Sequence, residues 1–206
     1  RNQLINKTTN SLLFSAKKAE PKITNELQNI VNKTHGSISH KVENEKSTLD
    51  FRLKTGSSLK RKVTTDFVEG KSLKNIEKKT YDCIRYTDVV KENFLVEDYS
   101  KIENQLNNKG YKILRVKNTL GDESATYRGI NTVVETPNGY KFELQFHTPE
   151  SFEIKEKIHA LYEKQRIDGT SAEIFKQMRW EMLEITKTLP NPNIKNIKNI
   201  KNYNKL

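Results

Sequence analysis

Apolar positions recur at helical spacing in PKITNELQNIVNKTHG, at Ile23, Leu27, Ile30 and Val31. Pro21 stands near the start and Gly36 just past the end, so the pattern predicts a helix over residues 21–34. Residues 1–20 are polar except for Leu12, Leu13 and Phe14, and read as a linker or weakly packed lead-in. STLDFRLKTGSSLKRKV reads as an extended piece, a hinge at Gly56 and a basic helical turn. YDCIRYTDVV alternates and is rich in β-formers, which predicts a strand. VEDYSKIENQLNNKG is an amphipathic helix ended by Gly110, and YKILRVKNTL is a second strand. After the polar loop GDESAT, YRGINTVVETP and YKFELQFHT flank Asn138-Gly139, a strong hairpin signal. Pro149 opens a helix through ESFEIKEKIHALYEKQR, and another is predicted from about Ser171 to Lys187. The order predicts an α+β fold, one mostly antiparallel sheet with helices packed on it.

The three-residue repeat in PNPNIKNIKNIKNYNKL matches neither the α-helix nor the strand period. Its low complexity and Lys/Asn content predict a disordered basic tail over residues 190–206. The domain is therefore expected at residues 21–189. The chain begins at Arg1 and reads as a fragment or processed piece.

Of 206 residues, 33% are hydrophobic and 31% charged, and the formal net charge is +11. That excess favours polyanionic partners such as nucleotides or nucleic acid. An AT-rich genome, which enriches Lys and Asn, would produce the same excess. A single cysteine, Cys83, excludes an intrachain disulfide and a Cys-based zinc site. It reads as a packed thiol rather than a nucleophile. No apolar run reaches the roughly 20 residues that span a bilayer, so no membrane partner is expected.

Chemistry-bearing residues gather in three places. Asp82 and Glu143, on separate strands, could share a hard cation such as Mg²⁺ or stand as ordinary solvated charges. Arg52, Lys54, Ser58, Arg61 and Lys62 crowd phosphate-seeking groups around Gly56, without a P-loop or dinucleotide-binding glycine pattern. The other reading of this stretch is a solvated basic face. The hairpin places Arg128, Asn131, Glu143, Gln145 and His147 along two strands, with Tyr127 at its mouth to stack on a base or pack at the sheet edge. Lys155 and His159 are four apart and share a helix face. A lone histidine is more often structural than catalytic.

Taken together these pieces resemble the synthetase domain of the RelA/SpoT alarmone synthetases, over residues 50–163. RLKTGSSLKRK resembles the family's donor-binding stretch, which implies ATP binding by Arg52, Lys54, Ser58, Arg61 and Lys62. DCIRYT resembles the strand that supplies a magnesium ligand, here Asp82, and a phosphate contact, here Arg85. YRGIN resembles the segment whose tyrosine stacks on the acceptor base, here Tyr127. FELQFHT resembles the strand whose glutamate, here Glu143, is metal ligand and base, and IHALYE places His159 where the family has a histidine. The resemblance implies a nucleotidyltransferase-like synthetase fold with a five-stranded sheet. It implies transfer of pyrophosphate from ATP to a nucleotide 3′-hydroxyl with Mg²⁺. Glu143, Asp82, Arg85, Gln145 and His159 would be catalytic. Tyr127, Arg128, Asn131, Gln145, His147 and Lys155 would hold the acceptor.

Asn131 stands where the family has histidine, His147 where it has arginine, and Cys83 and Ile84 before Arg85 where glycine is usual. These departures resemble small, toxin-borne synthetases that act on adenosine nucleotides. They imply a delivered effector acting in a bacterial cytoplasm, with an immunity protein as partner. The family's hydrolase domain is absent, so the chain is expected to make its product and not degrade it. Two other readings are transfer to an RNA end such as that of tRNA, which the charge would favour, and a non-catalytic nucleic-acid-binding module.

Overall fold

The computed structural model describes residues 1–42, 44–165, 171–189 and 194–206. Helix α1 (Asn2–Val31) is followed by a 3₁₀ turn (Thr48–Phe51), α2 (Gly56–Val68) and α3 (Leu73–Lys79). Then come β1 (Arg85–Val89), α4 (Leu95–Asn108), β2 (Lys112–Asn118), β3 (Ile130–Glu135) and β4 (Lys141–His147). Helices α5 (Pro149–Gln165) and α6 (Ala172–Lys187) and a short β5 (Tyr203–Asn204) complete the order. The sheet runs β1-β4-β3-β2-β5. β1 and β4 are parallel and the other pairs antiparallel. The α+β expectation holds, and no helix among the described residues is long and apolar enough to cross a membrane.

Two expectations about the ends are corrected. Residues 1–20 are not a lead-in, because α1 passes straight through Pro21. Ile5, Leu12, Ala16, Ala19, Ile23, Leu27 and Ile30 form one stripe of threes, fours and a seven, packed in or against the core. A proline removes one helical hydrogen bond and crowds the preceding turn, and this long apolar stripe outweighs that local cost. The tail is not disordered over residues 194–206. Ile194 and Ile200 are buried, Ile197 is half-buried, and Lys195, Lys198 and Lys201 are exposed. A period of three suits a 3₁₀ turn, which has three residues per turn, and one forms at Ile197–Asn199. Asn118 anchors it by donating its side-chain amide to the carbonyls of Ile197 and Ile200, each at 3.2 Å. Residues 190–193 of the expected tail lie outside the described residues.

Strand register sorts the side chains. Arg85, Glu143, Val133 and Arg115 form one row across β1, β4, β3 and β2. Thr87, Gln145, Asn131 and Lys117 form the next. Register partners point to the same side of a sheet, so these polar residues share one face. The opposite face carries Tyr86, Phe142, Leu144 and Phe146, all buried. There Tyr86 meets Thr24 of α1 at 2.7 Å, and Phe146 meets Tyr99 of α4 edge-on at 5.1 Å. Helices α1 and α4 thus cover the core face. The β3–β4 connection is tight because Gly139 takes φ 87°, a left-handed conformation that glycine adopts without steric cost.

Candidate active site

Residues 52–54 run antiparallel beside the lead into β1. Arg85 N donates to Arg52 O at 2.8 Å, and Lys54 N donates to Cys83 O at 3.0 Å. Thr55 then caps α2, its hydroxyl accepting from Ser58 N at 3.3 Å. This places the basic stretch against Asp82. Lys54 Nζ is 2.8 Å from one Asp82 oxygen, and Lys62 Nζ is 2.6 Å from the other. Burial alone would raise the Asp82 pKa, but the Lys62 and Lys54 ammonium groups hold it well below the usual carboxylate range. Arg52 donates Nε to Glu20 of α1 and Nη1 to Leu49 O at 2.9 Å. Arg61 pairs with Glu163 of α5.

Arg85 joins the basic stretch to the sheet. Its Nε lies 2.8 Å from Glu143 Oε2, and an Nη lies 3.6 Å from Asp82 Oδ2. The two acids therefore lie within reach of one guanidinium. Arg115 approaches Glu143 from the other side, at 3.8 Å from Oε1, and donates to Asn131 Oδ1 at 3.2 Å. Lys155 of α5 lies over the Phe152 ring at 4.9 Å. Burial lowers its pKa, and it feels the charges of Arg85 and Glu143.

Two polar atoms in this cluster are buried without a hydrogen-bond partner among the described residues, Gln145 Oε1 and Arg115 Nε. Buried polar groups are normally satisfied, so the pair marks a place where a polar ligand fits. Mg²⁺ takes one or two carboxylates and completes its shell with phosphate oxygens and water. Asp82 and Glu143 fit that donor class. Among the described residues there is no group of three or more His, Cys, Asp or Glu that would form a closed cage.

Three expected site residues take other places. His147 is fully buried, with Nε2 3.0 Å from the Tyr127 hydroxyl and Nδ1 2.9 Å from Ser151 Oγ. Burial pushes its pKa well below the ordinary histidine value. It lies on the expected face, but Tyr127 stands over it, so it supports the tyrosine rather than touching an acceptor. Gly129 permits this closeness, since a Cβ there would lie 2.5 Å from His147 Cε1 and 2.8 Å from Tyr127 Oη. Arg128 is buried with Nε unpartnered among the described residues, and its charge reaches the carboxyl of Asp122. His159 is exposed one turn beyond Lys155 on α5. Cys83 is buried and its thiol pushed up to about 11 by burial, which suits a packed thiol.

Sequence reasoning missed Arg115 and Glu20. Arg115 had a signal, because it alternates with Lys117 in a predicted strand, but the strand order that sets it beside Glu143 is a tertiary fact. Glu20 had none.

No family model matches the chain, and no curated protein matches it. Solved structures do. The small alarmone synthetase 1 from Bacillus subtilis superposes with a TM-score of 0.58 at 14% identity, covering 87% of this chain and 89% of that one. A GTP pyrophosphokinase family protein from Streptococcus pneumoniae gives 0.55 at 19% identity, covering 87% and 88%. The Type VI effector Tas1, solved in complex with its immunity protein, gives 0.51 at 17% identity, covering 89% and 96%. The fold of this chain is that of the small alarmone synthetases.

Proposed function

We propose that the chain is a Mg²⁺-dependent pyrophosphokinase that transfers the β,γ-pyrophosphate of ATP to the 3′-hydroxyl of a purine nucleotide, an adenosine nucleotide in the first instance. One observation carries this reading. Arg85 joins Asp82 and Glu143 at the point where the basic stretch of residues 52–62 meets the polar sheet face. A binding module needs the cations but has no use for two acids among them.

In the reaction the 3′-oxygen bonds to the β-phosphorus while the bond from that phosphorus to the oxygen bridging it to the α-phosphorus breaks. AMP leaves with that oxygen. Glu143 takes the hydroxyl proton. Arg52, Lys54, Arg61 and Lys62 hold the donor phosphates, exchanging their present acidic partners for phosphate oxygens, and Ser58 adds its hydroxyl. Arg85 offsets charge on the transferred group, since such transfers rest on positioning and electrostatics. Tyr127 supports the acceptor base. Asp82 and Glu143 would hold the metal ion, which supplies further charge neutralisation when bound.

By analogy with Tas1, an effector role in a bacterial cytoplasm and an immunity partner belong to this proposal. The test incubates the chain with γ-labelled ATP and each of AMP, ADP, ATP, GDP and GTP, and separately with total tRNA, with and without a chelator. Chelator-sensitive label on a free adenosine nucleotide is expected. Label on tRNA alone would move the acceptor to RNA, and no transfer to any acceptor would sink the reading.

A further inference from the structure

Helix α5 opens on a reciprocal cap, in which Thr148 N donates to Ser151 Oγ at 3.0 Å and Ser151 N donates to Thr148 Oγ1 at 3.1 Å. The Ser151 hydroxyl has further contacts. It donates to Thr148 O at 3.2 Å and lies 2.9 Å from Nδ1 of His147, which stands four residues earlier at the end of β4. On the other side of the ring, His147 Nε2 lies 3.0 Å from the Tyr127 hydroxyl. Ser151, His147 and Thr148 are all buried, so one hydrogen-bonded string runs from the helix start to the polar sheet face.

The valences of this string place its protons. A serine hydroxyl carries one hydrogen and two lone pairs. The hydrogen goes to Thr148 O, and the amide hydrogen of Thr148 occupies one lone pair. The remaining lone pair faces His147, so Nδ1 is the protonated nitrogen. Burial, and then the Lys155 charge, keep the His147 pKa well below the ordinary histidine value. The ring is therefore neutral, and a neutral imidazole with its hydrogen on Nδ1 accepts at Nε2. The Tyr127 hydroxyl then donates to Nε2, and its own lone pairs are left for other donors. Arg85 is such a donor. Burial raises the Tyr127 pKa, and the charge of Arg85 opposes that rise. Arg85 gives Nε to Glu143 at 2.8 Å, and an Nη only approaches Asp82, at 3.6 Å, so its guanidinium has N–H groups to spare.

We propose that Ser151 is a positioning residue that acts through His147. It holds the imidazole in the Nδ1–H tautomer, which makes the Tyr127 hydroxyl a donor to His147 and an acceptor towards Arg85. The other tautomer would turn the hydroxyl hydrogen towards the guanidinium, donor against donor. With the hydroxyl oxygen open to it, Arg85 keeps an orienting partner when Glu143 turns to the acceptor hydroxyl. The kinetic consequence rests on the pyrophosphokinase reading; the placement of the protons does not.

The first measurement is long-range ¹H–¹⁵N NMR on the full chain labelled at its four histidines, with His147→Gln to assign the ring. A protonated Nδ1 and a bare Nε2 are expected at neutral pH. Ser151→Ala should lower the Nδ1–H population. Ser151→Thr, which keeps the hydroxyl and serves if the alanine variant does not fold, should preserve it. The second measurement is steady-state transfer. Ser151→Ala should lower kcat by about three- to tenfold, the usual worth of one hydrogen bond, with the acceptor KM within about twofold of the parent. Tyr127→Phe should do the same, and the double variant should fall no further than the worse single one, because both changes cut one string. A protonated Nε2 in the parent, an unchanged tautomer or unchanged kcat in Ser151→Ala, or losses that multiply in the double variant would overturn the assignment. If the tautomers are as expected and labelled ATP transfers to no acceptor, the pyrophosphokinase reading fails and Ser151 keeps its place in the string.

Discussion

Asp82 and Asp88 stand at the two ends of the β1 segment, one on the way into the polar face and the other turned into the core. Asp82 is side-chain buried and ringed by Lys54, Lys62 and Arg85, so it keeps its charge. Asp88 is fully buried, and neither oxygen is hydrogen-bonded in normal geometry among the described residues. The backbone of Gly36 closes over it, where a Cβ would lie 2.3 Å from Oδ1. The groups facing it are Asp98 and the Ser37 backbone, while His35 sits against Asp98 at 2.9 Å. Burial, then the neighbouring Asp98, push the Asp88 pKa up to about 7. Burial acts on both acids. The presence or absence of cations decides whether the result is a charged group ready for a ligand or a carboxyl that keeps its proton up to about neutral pH.

The largest effect expected on this contrast is at the site. Glu143→Gln keeps the shape and removes charge and basicity, and should cut pyrophosphate transfer by about 10²–10⁴-fold in a folded protein. Asp82→Asn should be comparably damaging, with partial rescue by raised Mg²⁺ that Glu143→Gln shows less. Activity within about tenfold of the parent for Glu143→Gln would remove the acid from the reaction.

Arg52→Ala deletes a charged hydrogen-bonding group from the donor side and should lower kcat/KM for ATP by roughly 1.5–3 kcal/mol. Unchanged kinetics would make the stretch a solvated face.

Asp88 sharpens the comparison through pH. Its folded pKa is raised above the unfolded value of about 3.9. The stability it allows is therefore complete below that value and is lost as pH rises towards and through about 7. The loss runs at about 1.4 kcal/mol per pH unit between the two values and levels off above the higher one. Asp88→Asn should flatten that part of the stability–pH curve in chemical denaturation, making the variant relatively more stable at pH 8 than at pH 4. The same slope in both proteins would show that folding does not raise the Asp88 pKa.

Tyr127 carries the smaller effects. Tyr127→Ala should weaken acceptor use by about 1–3 kcal/mol, the usual worth of a stacked base. Tyr127→Phe removes only the hydroxyl that meets His147 and should cost about 0.5–1.5 kcal/mol, read in thermal stability more than in acceptor affinity. Equal losses of acceptor affinity in both variants would shift the role from the ring to the hydroxyl.

Local pattern carried a large part of this molecule. Alternation in YKFELQFHT placed Glu143, Gln145 and His147 on one face, Asn138-Gly139 marked the hairpin, and the spacing of Arg52, Lys54, Ser58, Arg61 and Lys62 marked the donor stretch. These are properties of neighbours in the chain, set by the two-residue period of a strand and the turn of a helix. Pro21 and the Asn-Ile-Lys repeat misled for the same local reason. A proline reads as a boundary and a period of three as disorder until something is packed against them. Only the tertiary structure decided that the apolar stripe of α1 runs through Pro21, because the stripe has value only against the core it covers. Only the order β1-β4-β3-β2 set Arg115 beside Glu143. The packing of Tyr127 over His147 turned an expected ligand contact into a support. The sequence by itself determined which residue types lie on which side of each element. Which charge meets which, and therefore which acid stays ionised and which cation waits for a ligand, depends on contacts between residues far apart in the chain, and on how much water the fold leaves around them.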